Sequence, residues 1–161
     1  MKSGNPEEAV NYLLGVLTLL PPLHAHGGAI TPDQSRALPI SSFGLGNGYR
    51  ALSQSYLELH AFKKALEAAE ASLFYNPNNP AGMLFKSLAL YSLDRPLEAN
   101  NWFDRAHAIY LPTIARNAEE LRKKYLEKLC KTSKGKPQIT CRLMPQLTVP
   151  ASGQSPAKPA G

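Results

Sequence analysis

The sequence contains no apolar run long enough to cross a lipid bilayer. Its longest apolar stretch, Tyr12 to Leu20, covers nine residues, whereas a membrane-spanning helix needs about 20. The stretch is also a poor secretory signal, because Glu7 and Glu8 precede it and Lys2 is the one positive charge before it. We therefore predict no membrane span and a cytoplasmic location.

Cysteine is scarce, and histidine does not cluster with it. Cys130 and Cys141 are the two cysteines of the chain, and neither has Cys or His neighbours at the spacing of a zinc site. His24 and His26 together would supply only two ligands. The sequence therefore predicts no metal and no cofactor. We expect two reduced thiols; a disulfide between them would tie the C-terminal tail to the helix before it.

Motifs of enzyme chemistry are lacking as well. No glycine-rich loop is followed by Lys and Ser or Thr, as a phosphate-binding loop requires. Gly44, Gly46 and Gly48 alternate, but they run into a predicted helix with no strand before them. The spacing of the residues indicates no Ser/His/Asp or Cys/His set for nucleophilic catalysis. We expect a protein without enzymatic activity.

Acidic residues are absent from 132–161, and this gives the chain an uneven charge. Residues 113–161 hold 10 basic and 3 acidic residues, whereas residues 1–112 hold 8 basic and 9 acidic residues. A basic segment of this kind could neutralise phosphates. Its one aromatic residue is Tyr125, which argues against stacking on single-stranded bases. Binding of nucleic acid or an acidic surface is therefore an alternative function.

The 14 prolines and 11 glycines crowd two parts of the chain. They keep residues 23–45 irregular, so we predict a flexible loop there. Residues 132–161 are rich in Pro, Ser, Gly and Lys and too poor in apolar residues to build a core, which predicts a disordered basic tail. Apolar residues within 138–149 leave open a short bound segment in that tail.

What the sequence does contain is one pattern written twice, 34 residues apart. A fixed period of this length marks a helical repeat array. Most pairs agree in size and character; Leu52/Lys86 and Pro77/Leu111 do not. The full set is Tyr49/Met83, Leu52/Lys86, Ser53/Ser87, Tyr56/Leu90, Ala65/Ala99, Ala69/Phe103, Ser72/Ala106 and Pro77/Leu111.

The spacing within each copy predicts two helices. The first four positions recur at i, i+3, i+4 and i+7, which is one face of a helix. The next three are mostly small and recur at i, i+4 and i+7, so two helix backbones can approach closely. Asn79 and Asp94 are predicted N-caps before Pro80 and Pro96. Further helices are predicted over 5–20, capped by Asn5, and over 113–131, with one apolar and one charged face.

These residues and this period resemble the tetratricopeptide repeat (TPR) family. The resemblance implies an all-α solenoid of helical hairpins with a C-terminal capping helix and a flexible tail. It assigns full repeats to 46–79 and 80–113 and a capping helix to 114–131. The helix within 1–22 has the spacing of a half repeat; the alternative is an N-terminal cap helix.

The same resemblance implies a scaffold, adaptor or co-chaperone that holds a peptide or helix in a concave groove. The carboxylate clamp of the family falls on Arg50, Gln54 and Phe85, and Phe85 cannot act as the Asn that the clamp needs. A chaperone tail is therefore not the ligand that we favour. Because two repeats are fewer than a stable solenoid usually has, a structural subunit that completes a larger assembly is a further alternative.

The candidate binding residues are those that we expect to line this concave groove. Leu84, Leu88 and Tyr91 share a second apolar stripe on the first helix of repeat 2, and such a stripe must be buried or must bind something. We expect it to grip an apolar peptide. The alternative is self-burial by residues 139–149 or by the helix over 5–20. The complete predicted set is Arg50, Gln54, Leu57, Leu84, Leu88 and Tyr91.

Overall fold

A computed structural model describes residues 5–18, 42–132 and 137–147 of the chain. These residues form seven helices and no strand, so the all-α class is confirmed for this part. The helices are α1 Pro6–Thr18, α2 Ser42–Glu58, α3 Phe62–Tyr75, α4 Pro80–Ser92, α5 Pro96–Ile109, α6 Pro112–Thr132 and α7 Gln138–Leu147.

The middle four helices form two hairpins that keep the period of the sequence. α2 packs on α3 and α4 on α5; α3 also packs on α4, and α2 lies beside α4. The ends of α2 and α4, the starts of α3 and α5, and the ends of α3 and α5 are each 34 residues apart. α2 begins at Ser42, so the predicted flexible loop over 23–45 is wrong for 42–45; residues 23–41 lie outside the described part.

The turn inside each hairpin has one geometry in both copies. His60 and Asp94 are the non-glycine residues with positive φ in the described chain, at 59° and 62°. The amides that follow them reach back five residues, Ala61 to Tyr56 O at 2.9 Å and Arg95 to Leu90 O at 2.9 Å. This is the Schellman ending of a helix.

The predicted caps of these helices have different outcomes. Asn5 Oδ1 accepts from the Glu7 amide and Asn79 Oδ1 from the Ala81 amide, as predicted. The predicted Asp94 cap is wrong. Asp94 occupies the left-handed turn, Arg95 stands at the N-cap without a side-chain capping bond, and Pro96 begins α5.

Small residues hold the helices of each hairpin close together. Ala65, Ala69 and Ala99 have no solvent exposure. Ser53 Oγ donates to Ala65 O at 2.7 Å, and Ser72 Oγ donates to Gly46 O at 2.7 Å. A Cβ on Gly46 would lie 3.3 Å from Ser72 O, so the backbones meet with little room for a side chain. These positions explain why the repeated pattern favours Ala and Ser, and why Gly46 stands opposite Ser72.

α1 packs on α2. Val10 is buried with Leu45, Leu52 and Ala68, and Leu13 packs against the same cluster. Burial stabilises an apolar helix face, and the predicted docking of this helix on the first hairpin is confirmed for Pro6–Thr18. That α1 is half of a repeat stays a prediction.

α6 lies over the second hairpin. Leu126 and Leu129 are buried with Leu88 of α4, and Ala118 is buried with Phe103 of α5. The Arg122 guanidinium is buried, stacks on the Phe103 ring at 3.7 Å and donates to Tyr91 Oη at 3.4 Å. α6 therefore covers apolar surface of the second hairpin that would otherwise face water.

The C-terminal segment corrects two predictions. Residues 138–147 form α7 rather than disordered tail, while residues 133–136 and 148–161 lie outside the described part. Cys130 and Cys141 form a disulfide between α6 and α7, so the expected reduced thiols are wrong. Thr140 secures the helix further: its amide donates to Asp94 Oδ1 and its hydroxyl to Tyr91 O, both at 2.8 Å.

Candidate functional site

An apolar cleft of about 210 Å³ opens between α2 and α6. Its floor is α4, which separates the two walls. The loop after α2 and the first residue of α3 contribute His60 and Phe62 to its lining. The lining residues, which we call the apolar cleft, are Gln54, Leu57, Glu58, His60, Phe62, Phe85, Leu88, Leu121, Tyr125, Lys128, Leu129 and Thr132.

The walls and floor of the apolar cleft are carbon-rich. Leu57, Leu88 and Leu129 are buried, and Phe85 is half-buried. Leu121 keeps 42% of its surface exposed at the mouth of the cleft. An apolar side chain in this position gains from being covered, because removing apolar area from water is favourable. The cleft can therefore hold an apolar group from outside the chain.

Tyr125 adds an aromatic wall that stays neutral. Its hydroxyl lies 2.5 Å from Ser92 Oγ. Burial raises the pKa of Tyr125 to about 12, although the bond to Ser92 acts in the opposite direction. The phenol is therefore uncharged at any ordinary pH, and it presents a ring rather than an anion to the cleft.

Polar groups stand at the rim of the apolar cleft. Gln54, Glu58, His60 and Lys128 are exposed there. Arg50 lies one turn before Gln54, donates to Gln54 Oε1 at 3.5 Å and places its guanidinium 5.9 Å from the centre of the Phe85 ring. An apolar centre with a polar rim is the usual anatomy of a protein-binding surface.

Of the six predicted site residues, four lie in or beside the apolar cleft and two lie away from it. Gln54, Leu57 and Leu88 line the apolar cleft, and Arg50 stands beside Phe85. Leu84 and Tyr91 do not reach it, so their prediction as gripping residues is wrong.

The burial of these two residues has a clear cause. Leu84 is 5% exposed and packs in the cluster of Phe103 and Ala118. Tyr91 is fully buried; it donates its hydroxyl proton to Asn100 Oδ1, and burial raises its pKa. The alternative of self-burial by residues 139–149 therefore holds at Tyr91, whose carbonyl accepts from Thr140 of α7. Leu84 is covered by α5 and α6, Leu88 lines the cleft, and α1 packs on α2 instead.

The α6 wall of the cleft is not predicted from the sequence. The capping helix over 114–131 is predicted to have one apolar face, and the whole of such a face would pack on the repeats. Leu126 and Leu129 do so, but Leu121 points past the core into the cleft. The signal was the width of the apolar face, since Leu121 and Leu126 lie about 140° apart around the helix. One neighbour cannot cover a face that wide.

A second, polar cleft lies between α5 and α6. His107 Nε2 is 2.7 Å from Glu119 Oε1, and Glu119 is buried. Tyr110 and Arg116 also line this cleft, together with Pro112 and Ala115. The pair ties the end of α5 to α6, and it is a structural contact between the two helices.

No family model, curated protein or solved structure matches this chain. No helix among residues 5–18, 42–132 and 137–147 is long and apolar enough to cross a membrane. The same residues hold no group of three or more His, Cys, Asp or Glu side chains that could bind a metal ion.

Proposed function

We propose that this chain is a non-enzymatic protein-interaction module of the tetratricopeptide-like type, which binds a peptide or helix of a partner in the apolar cleft. The observation that carries the proposal is the cleft itself, a recess with apolar walls and a polar rim. Its exposed Leu121 would be covered by a ligand. An apolar centre within a polar rim is typical of surfaces that bind proteins.

The helix arrangement supports the same proposal. α2 and α4, the first helices of the two hairpins, lie side by side, and α6 contacts α4. In arrays of the resembled family the first helices line the concave side. The apolar cleft is built from these helices, with only Phe62 coming from a second helix. A concave peptide site is the arrangement that the resemblance implies.

The disulfide indicates the kind of cellular compartment in which the protein works. Disulfides persist in oxidising compartments and are rare in the cytosol. Cys130 and Cys141 join two helices that also contact each other through packing. We therefore propose that the protein works in an oxidising compartment, in place of the cytoplasmic location that the sequence predicts.

A peptide titration tests the function. The probes are short Gly/Ser peptides that carry a single central Leu, Phe or Trp, added to the ¹⁵N-labelled full chain. We expect amide shifts at Gln54, Leu57 and Leu121 that saturate with the Phe or Trp probe. A probe with Ala at the centre should cause none.

Two matched variants locate the binding. Leu121→Gln removes the exposed apolar group of the cleft and should weaken binding about tenfold, a loss typical of one buried anchor contact. Leu97→Gln changes an exposed leucine elsewhere, 74% exposed on α5, and should leave binding unchanged. Saturable shifts that avoid the cleft, or equal binding by both variants, would overturn the proposal.

A further inference from the structure

Lys124 and Lys128 stand on the α6 side of the apolar cleft. Lys128 lines the cleft, Lys124 lies one turn earlier, and both side chains are exposed. Neither forms an ion pair with any residue in the described part of the chain. Like charges four residues apart on a helix repel each other. No ion pair within the described chain therefore accounts for the placement of both lysines beside the cleft.

The helix dipole does not explain these two lysines. Cations are favoured near a helix C-terminus, but the effect falls off within the last turn. α6 ends at Thr132, so the dipole accounts for Lys131 and not for Lys124 or Lys128. By helical geometry Glu120 and Glu127 of α6 lie further round from the cleft than either lysine, and the third acid of α6, Glu119, is buried against His107.

The size of the cleft limits what can enter it. Its volume of about 210 Å³ lies below the roughly 300–1,000 Å³ of pockets that enclose small molecules. A recess of this size suits one large side chain of a partner. Protein interfaces are commonly anchored in this way, by one apolar or aromatic residue in a small pocket.

We infer that the apolar cleft takes an acidic peptide, whose single large apolar residue contacts Leu57 and Leu121 while neighbouring carboxylates meet Lys124 and Lys128. The inference rests on the proposed function and names the chemistry of its partner. Glu58 on the opposite wall repels carboxylates. The acidic side of the peptide therefore lies against α6.

Fluorescence anisotropy with the full chain tests this inference. Three labelled peptides share one central Phe and differ in the flanking residues, which are Glu, Ser or Lys; a fourth keeps the Glu flanks and has Ala in place of Phe. We expect the Glu-flanked Phe peptide to bind most tightly and to weaken as salt is added, because exposed charges are screened. The Ala peptide should bind much more weakly.

Charge reversal supplies the matched variants. The double variant Lys124→Glu and Lys128→Glu should raise the Kd of the acidic peptide by about tenfold or more and lower that of the Lys-flanked peptide. Lys123→Glu makes the same kind of change on the side of α6 away from the cleft. It should alter the Kd by less than about twofold, as a rim charge outside the contact does.

The outcomes separate the two proposals. Equal binding of the Glu-, Ser- and Lys-flanked Phe peptides would overturn the acidic partner and leave the peptide site standing. Failure of all three Phe peptides would overturn the proposed function. If the Glu-flanked Ala peptide binds as tightly as its Phe counterpart, or if oligothymidylate displaces the acidic peptide, the lysines bind polyanions such as nucleic acid and the inference is wrong.

Discussion

His60 and Asp94 have the same left-handed backbone conformation, with φ angles of 59° and 62°, one 34-residue period apart. Each ends the first helix of a hairpin, and each is followed by an amide that reaches back five residues. The side chains have different roles. His60 stands at the rim of the apolar cleft, whereas Asp94 accepts a hydrogen bond from α7.

The left-handed conformation at His60 predicts a stabilising substitution. His60→Gly should raise the free energy of unfolding by about 1 kcal/mol, because a residue with a Cβ is strained at this φ and glycine is not. His60→Ala keeps the strain and should not stabilise. Urea unfolding of the three proteins measures the difference. A glycine variant less stable than the wild type would show that the His60 side chain contributes more than the strain costs.

Substitution of Asp94, by contrast, should lower the free energy of unfolding. Asp94→Ala removes the acceptor of the Thr140 amide, which lies in a buried part of α7, and should cost about 1–3 kcal/mol. Asp94→Asn retains an Oδ1 acceptor and tolerates the left-handed conformation, so it should cost much less. Hydrogen exchange at the Thr140 amide is the readout. Unchanged protection in the Ala variant would contradict the bond.

The disulfide should stabilise the C-terminal part of the fold. Cys130 and Cys141 are separated by 11 positions, and closing a loop of that length restricts the unfolded chain by about 3 kcal/mol. The double variant Cys130→Ser and Cys141→Ser should therefore unfold at lower urea, and reductant should have the same effect on the wild type alone. If reductant leaves wild-type unfolding unchanged, the bond contributes nothing to stability.

The raised pKa of Tyr125 gives a pH dependence with a definite sign. Tyrosine ionises near 10 in an unfolded chain and at about 12 here. Because the folded pKa is the higher one, the neutral phenol stabilises the fold below pH 10, and this contribution is lost as pH rises towards about 12. Tyr125→Phe should lack that alkaline loss. Ultraviolet difference titration of the two proteins gives the pKa directly; a Tyr125 value near 10 would contradict its burial.

Much of the hairpin core can be predicted from the sequence because it depends on residues that are close together along the chain. The small residues at Ala65 and Ala99 and the cap at Asn79 follow from spacing and neighbours along the chain. Pro80 and Pro96 mark the starts of α4 and α5, and the period relates the ends of the hairpin helices, whereas the start of α2 at Ser42 has no such signal. The sequence therefore predicts that α2 to α5 are helices and that most of the repeated positions are buried, but not that Leu84 and Tyr91 are buried as well.

The candidate site depended on contacts between distant residues. Leu88 and Tyr91 form an apolar stripe in the sequence whether water, a partner or α6 covers them. Tyr91 is buried because Arg122 and Thr140, which lie 31 and 49 positions further along the chain, contact it. α7 is not predicted because Pro145 is unfavourable inside a helix and the apolar residues of α7 lie in a segment rich in Pro, Ser and Lys. Its attachment comes from the disulfide and from Asp94.

In the proposed complex, an apolar side chain of the partner enters the cleft between α2 and α6. Intermolecular nuclear Overhauser effects measure this directly, between the Phe ring of the Glu-flanked peptide and the methyl groups of the protein. The ring should show effects to Leu57 and Leu121, both of which line the cleft. Effects confined to exposed apolar residues outside it, such as Leu97, Ile114 or Ile139, would contradict the claim.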